Sequence, residues 1–195
     1  MVEIKNLKKM YGERKVLDID YLKLEKGESL AVMGANGSGK STLLKILAGI
    51  IRQTEGSFST EDTTLYAPQH PYAFSGTVLE NMLIGAKGQK EKAADLLERF
   101  NLIELKDKKA SSLSGGELQR LSICRLFMRS CSLLLLDEPI SACDKESTLM
   151  LRDEINKYKT EQGCTLIIST HSMQLASDTA EKIITLNNGI PEQRF

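Results

Sequence analysis

The sequence has no excess of either charge: 26 Lys and Arg stand against 26 Asp and Glu, a net charge of zero at pH 7. That excludes a broad basic face, so no nucleic-acid partner is expected beyond what a local patch could hold. An apolar run near 18 residues is also missing, which excludes a membrane-spanning helix. The opening Met1-Val2-Glu3-Ile4-Lys5 lacks an apolar signal region, so no secretion signal is expected. Cysteine is scarce, and Cys124, Cys131, Cys143 and Cys164 contain no C-x-x-C pair. They read as reduced, structural thiols rather than zinc ligands or disulfides. Internal repeats, low-complexity segments and long linkers are lacking too. What remains is 195 residues, 41% apolar and 27% charged, the balance of a globular protein with a real core. One domain over 1–195 is expected.

The most informative stretch is Gly34-Ala35-Asn36-Gly37-Ser38-Gly39-Lys40-Ser41. It fits G-x-x-x-x-G-K-[ST], a loop whose backbone N–H groups converge on a phosphate. Leu30-Ala31-Val32-Met33 before it can be a buried strand, and Ser41 to Ala48 after it can be a helix. The helix N-terminus adds partial positive charge. In that role Lys40 reaches the outer phosphates and the Ser41 hydroxyl ligates Mg²⁺.

The pattern elsewhere predicts alternating strands over Val2–Leu7 and Val16–Leu24, antiparallel and half exposed, with a turn at Tyr11-Gly12. Short strands are expected over Ser57–Ser59 and Thr63–Ala67, the second closed by Pro68. Helices are expected over Thr77–Ile84 and Gln89–Phe100, the latter with Ala93, Leu96, Leu97 and Phe100 on one face. Ser114 caps a helix to about Arg129, with Glu117 in the capping-box position. Leu133–Leu136 and Thr165–Ser169 read as strands buried on both faces of a parallel sheet. Helices over Lys145–Lys159 and Ser172–Asp178 complete the alternation, with Lys182–Leu186 as the last strand. Apolar strands alternating with amphipathic helices predict a three-layer α/β domain.

Two further segments carry chemistry. Asp137 and Glu138 follow the four leucines of 133–136, at the strand end where ligands bind in such sheets. There Asp137 can hold Mg²⁺, and Glu138 can orient and deprotonate a water attacking a γ-phosphate. Leu113-Ser114-Gly115-Gly116-Glu117 is a second anion-binding arrangement at a helix start. Alone it reads equally as an ordinary cap. Beside a phosphate loop it suggests a contact with the nucleotide of another copy. Tyr72 and Phe74, rings in a loop, read as anchors for a partner or as packing beneath their own helix.

In this order, Tyr11, Gly34–Ser41, Gln69, Leu113–Glu117, Leu133–Pro139, Ser141-Ala142-Cys143-Asp144 and Ser169-Thr170-His171 resemble the ATP-binding subunits of ABC transporters over nearly the whole chain. The resemblance implies a P-loop NTPase core with a mainly parallel sheet. To this it adds a small antiparallel β lobe (about 1–30 and 55–68) and an α-helical signature subdomain (about 72–115). It implies that Tyr11 stacks on adenine and that Gly34, Asn36, Gly37, Ser38, Gly39, Lys40, Ser41 and Thr42 bind ATP. It places Ser41, Asp137 and Gln69 at Mg²⁺, and Glu138, Gln69 and His171 in catalysis. Ser114, Gly115 and Gly116 clasp the γ-phosphate bound by the opposite copy in a head-to-tail homodimer, and Asp144 is the contact across the dimer that couples the two ATP sites. The implied partners are a membrane permease subunit and a solute-binding protein, and the implied location is the cytoplasmic face of the membrane. Cys143 departs from the usual leucine, and Glu117 from the commoner glutamine. The segment from Ser41 to Gln69 is short for the family, so a reduced antiparallel lobe is expected. The chain stops soon after its expected last strand, so no C-terminal regulatory domain is expected. Phe74-Ser75-Gly76-Thr77 with Glu80-Asn81 resembles exporters, whereas the compact free-standing chain and Pro71–Phe74 resemble importers of small solutes such as oxyanions. Import is favoured over export and over a soluble ATPase of repair or translation.

Overall fold

The computed structural model describes residues 1–60 and 63–193. Among these, ten residues from Val2 to Tyr11 (β1) pair antiparallel with Arg14–Leu24 (β2), and Gly12 with Glu13 makes the turn. Glu55–Ser59 (β4) joins the other edge of β1, giving a sheet of order β2-β1-β4. The second sheet holds Ser29–Met33 (β3), Thr64–Ala67 (β5), Leu133–Asp137 (β6) and Thr165–Ser169 (β7), with Lys182–Asn187 (β8) and Ile190–Gln193 (β9). Its order is β5-β6-β7-β3-β8-β9, parallel throughout except for β9.

Every residue of β6 and β7 is buried, because both faces of the sheet are covered. On one face Leu133, Leu135 and Ile167 share a core with Leu43, Leu44 and Leu47 of the helix Lys40–Leu47 (α1) and with Ile4, Leu17 and Ile19 of the antiparallel sheet. On the other, Leu134, Leu136 and Ile168 pack beneath the helices Gly115–Phe127 (α4) and Lys145–Gln162 (α5). Each such leucine contributes about 1.5–3 kcal/mol by leaving water. The helical region adds Val78–Met82 (α2) and Lys90–Arg99 (α3). In α3 the expected face, Ala93, Leu96 and Leu97, is buried, with Phe100 just beyond the helix end. The Phe100 ring meets Phe127 edge-on at 5.6 Å, and Phe127 stacks on Tyr158 at 4.0 Å. A short helix, Met173–Thr179 (α6), is capped by Ser172.

Two expectations are corrected. The resemblance places 55–68 in the antiparallel lobe, but β5 pairs parallel with β6 and belongs to the core sheet (residues 61 and 62 lie outside the described residues). The pattern makes Lys182–Leu186 the last strand, yet the chain turns at Asn188-Gly189 and returns antiparallel as β9. The cysteines are all free thiols. Among the described residues, no helix is long and apolar enough to cross a membrane.

Strands β6, β7 and β3 are neighbours and run the same way. Their C-terminal ends therefore present Asp137 and Glu138, then Ser169 to His171, then the glycine loop, side by side.

Candidate active site

The loop begins where β3 ends and closes as α1 begins. Gly39, at φ +107, sits against the antiparallel sheet: a Cβ there would lie 2.7 Å from the Val16 carbonyl oxygen. Only glycine lets the loop lie this close. Lys40 is 6% exposed, and its ammonium donates to the carbonyls of Gly34 (2.7 Å) and Ala35 (3.2 Å). The Ser38 hydroxyl is buried and has no hydrogen-bond partner among the described residues, a group an incoming anion would satisfy. A cleft of about 380 Å³ opens over the loop, lined by Asn36 to Thr42. Tyr11, Arg14 and Val16 form one wall, and Gln69 and Glu138 the other. Tyr11 is half exposed, with the Lys9 ammonium 4.8 Å from its ring centre.

Asp137 is buried and held at both carboxylate oxygens. Its Oδ1 accepts from Ser41 Oγ (3.0 Å) and Ser169 Oγ (2.6 Å). Its Oδ2 accepts from the Tyr66 hydroxyl (3.2 Å). Burial first, then the Asp137 charge and hydrogen bond, push the Tyr66 phenol above its ordinary pKa, so it remains a donor. Glu138 has φ +49, a left-handed conformation uncommon outside glycine and costly to hold. The bonds from its own N–H to Ser169 O (3.1 Å) and Ser169 Oγ (3.0 Å) fix that turn. The turn aims a carboxylate only 3% exposed at the His171 imidazole and the Lys40 ammonium. Its Oε1 is 2.8 Å from His171 Nδ1 and 3.6 Å from Lys40 Nζ. Neither contact is a well-aligned hydrogen bond, so Oε1 keeps its accepting capacity.

Ser114, Gly115, Gly116 and Asp144 are not among the residues lining the cleft. Ser114 caps α4 in a reciprocal box: its N–H donates to Glu117 Oε2 (2.7 Å), and its Oγ accepts from the Glu117 N–H (3.4 Å). The Ser114 N–H, first, and the Ser114 hydroxyl, which donates to the same Oε2 at 2.8 Å, hold the Glu117 carboxyl below its usual pKa. Gly116 lies against the loop before α5, where a Cβ would come within 3.0 Å of Ala142 O. Asp144 caps α5 by accepting from the Ser147 N–H (2.8 Å). The structure thus gathers Tyr11, the loop, Gln69, Asp137, Glu138 and His171, and leaves an exposed serine-glycine turn apart. Sequence reasoning passed over Arg14, Val16, Tyr66 and Ser169. Only Ser169 carried a signal, as part of the quoted Ser169-Thr170-His171.

The family model described as "ABC transporter" matches residues 17–141. The chain belongs to the ABC transporter family. An ABC relative, the aliphatic sulfonates import ATP-binding protein of Pseudomonas savastanoi pv. phaseolicola, is 34% identical over 197 residues, spanning 95% of this chain and 73% of its own. The zinc import ATP-binding protein of Photorhabdus laumondii is 31% identical, spanning 97% and 76%. Among solved ABC structures, the dimeric post-hydrolysis state of the ATP-binding cassette MJ0796 bound to ADP and Pi superposes with a TM-score of 0.88 at 27% identity. That match covers 99% of this chain and 97% of the other. The chain is an ATP-hydrolysing ABC cassette with the P-loop NTPase fold.

Proposed function

We propose that this cassette is the ATP-hydrolysing subunit of an ABC importer, acting as a head-to-tail pair of copies beneath a membrane permease. The observation that carries the catalytic part is Glu138 Oε1, buried, free to accept, and within 3.6 Å of the phosphate-loop lysine. In the proposed step a water oxygen attacks the γ-phosphorus, the bond to the β–γ bridging oxygen breaks, and Glu138 takes the water's proton. The loop N–H groups and Lys40 hold the phosphates, and His171, already beside Glu138, steadies the same water and γ-phosphate. Tyr11 meets the base, with Arg14 beside it on the same wall.

Ser41 and Gln69 line the cleft and Asp137 is hydrogen-bonded to Ser41 Oγ, so the three offer oxygen donors of the kind Mg²⁺ takes. Bound with the nucleotide, Mg²⁺ neutralises charge on the phosphate oxygens. In the proposed dimer, Ser114, Gly115 and Gly116 of one copy close over the γ-phosphate held by the other, and Asp144 lies at the contact. ATP then favours the closed pair because it touches both copies.

Import is supported by the relatives, which include sulfonate and zinc importers at nearly equal identity. Those two solutes share no chemistry, so solute choice, an oxyanion included, is assigned to the permease and any solute-binding protein. Tyr72 is 54% exposed and meets Phe74 edge-on at 5.1 Å, with the Arg125 guanidinium 4.6 Å from the Phe74 ring centre. This aromatic pair is the proposed permease contact, and the permease holds the subunit on the inner membrane face.

Glu138→Gln tests the reading. Hydrolysis should fall at least 100-fold, the usual contribution of a general base, while ATP still drives dimer formation on size-exclusion chromatography. A variant that hydrolyses ATP at the wild-type rate would remove Glu138 as the base.

A further inference from the structure

Tyr66 has no place in the reading so far, yet its hydroxyl is one of three donors on Asp137. It stands opposite Leu135 in the parallel register of β5 and β6, and Leu135 and Asp137 share a face of the sheet. The phenol therefore leans along the strand to reach Oδ2. We propose that Tyr66 is a positioning residue for Mg²⁺, holding the Asp137 carboxylate in the orientation that meets the metal of the bound nucleotide. The proposal rests on Ser41 and Asp137 forming the Mg²⁺ site.

The donor count carries the argument. Among the described residues, Oδ1 has two donors, Ser41 and Ser169, and Oδ2 has one, Tyr66. A Ser41 oxygen committed to a metal leaves Ser169 on Oδ1 and Tyr66 on Oδ2. A carboxylate tied at both oxygens cannot swing about its terminal bond. Without the phenol, Oδ2 loses its tie. The position of Tyr66 adds a second consequence. It lies on the sheet's edge strand, three residues before Gln69 in the cleft wall, and the chain then passes to Tyr72 and Phe74. The metal carboxylate is thereby bonded to the strand from which the proposed permease-facing loop departs.

Tyr66→Phe keeps the ring and removes the donor. Binding of a fluorescent ATP analogue is titrated with Mg²⁺, and separately measured in EDTA, for the wild type and Tyr66→Phe. Loss of an outer partner of a metal ligand typically costs 10–100-fold in metal affinity, so the half-saturating Mg²⁺ concentration should rise about 10-fold. Affinity in EDTA should be unchanged. Overlapping Mg²⁺ titrations would overturn the proposal alone. So would equal weakening with and without Mg²⁺, which marks a purely structural tyrosine. A wild-type protein whose binding ignores Mg²⁺ would sink the Ser41–Asp137 metal site as well.

Discussion

Gly39 and Gly37 stand two residues apart in the same loop, both at positive φ, and the structure treats them differently. A Cβ at Gly39 would press on a backbone carbonyl at 2.7 Å and on Leu17 Cδ2 at 2.8 Å. A Cβ at Gly37 meets nothing within 4 Å. Gly39→Ala therefore combines backbone strain with overpacking and should cost about 3 kcal/mol. Gly37→Ala bears the conformational strain alone, about 1 kcal/mol. Urea unfolding of the two variants checks this, and equal losses would mean that the antiparallel sheet does not brace the loop. The residues of the glycine loop, and Asp137 with Glu138, could be read from the sequence because each group is contiguous and abuts an apolar strand. Arg14 and Tyr66 could not. Arg14 reaches the cleft by pairing with Tyr11 across a two-residue turn, and Tyr66 meets Asp137 only because β5 lies beside β6. The turn at Gly12 hints at the first relation without fixing which residues pair, and the second, between strands far apart in the chain, leaves no trace in local sequence.

Among the elements, α2 is only five residues long and depends on side chains for its ends. Thr77 and Glu80 form a capping box at its start, and Asn81, fully buried, bonds in two directions. Its amide nitrogen donates to Phe74 O (3.0 Å) and Thr77 O (2.9 Å), and its oxygen accepts from Phe74 N–H (2.8 Å) and Arg125 Nη1 (3.3 Å). Asn81 thus pins the aromatic loop to the helix. Asn81→Ala strands several of these groups and should cost about 2–3 kcal/mol in urea unfolding. Hydrogen exchange at the Phe74 amide should accelerate, and co-purification with the permease in mild detergent should fall. Unchanged exchange at Phe74 would show that the loop holds itself. The buried strands β6 and β7 were legible because an unbroken apolar run fits a sheet covered on both faces. Strand β5 was misplaced because its alternating burial is shared by an edge strand of a parallel sheet and a strand of an antiparallel one. Strand β9 was missed behind Pro191, which a ladder tolerates at a sheet edge, where β9 lies.

At the scale of the whole molecule, the proposed dimer turns on where Ser114 lies. The nucleotide cleft of one copy draws its walls from Tyr11, Arg14, the loop, Gln69 and Glu138, while Ser114 to Gly116 form an exposed turn braced on Ala142. A serine-glycine turn at the start of a 13-residue helix suits an anion, which the Gly115 and Gly116 amides of the first helical turn can meet. The reading gives it the γ-phosphate on the facing copy. Ser114→Arg places a long cation at that contact. Within one copy its cost is the lost cap, about 1 kcal/mol, because Ser114 is exposed and the arginine has room in solvent. ATP binding to the monomer should stay within about twofold of wild type, since Ser114 touches none of the cleft. In the Glu138→Gln background, the ATP-driven dimer should disappear from size-exclusion chromatography with light scattering. Ser114→Ala, which loses the cap without adding bulk, separates the two effects: its dimer should weaken but persist. A Ser114→Arg dimer as tight as the parent's would mean that the second copy meets the nucleotide through some other surface, and the head-to-tail arrangement would have to be abandoned.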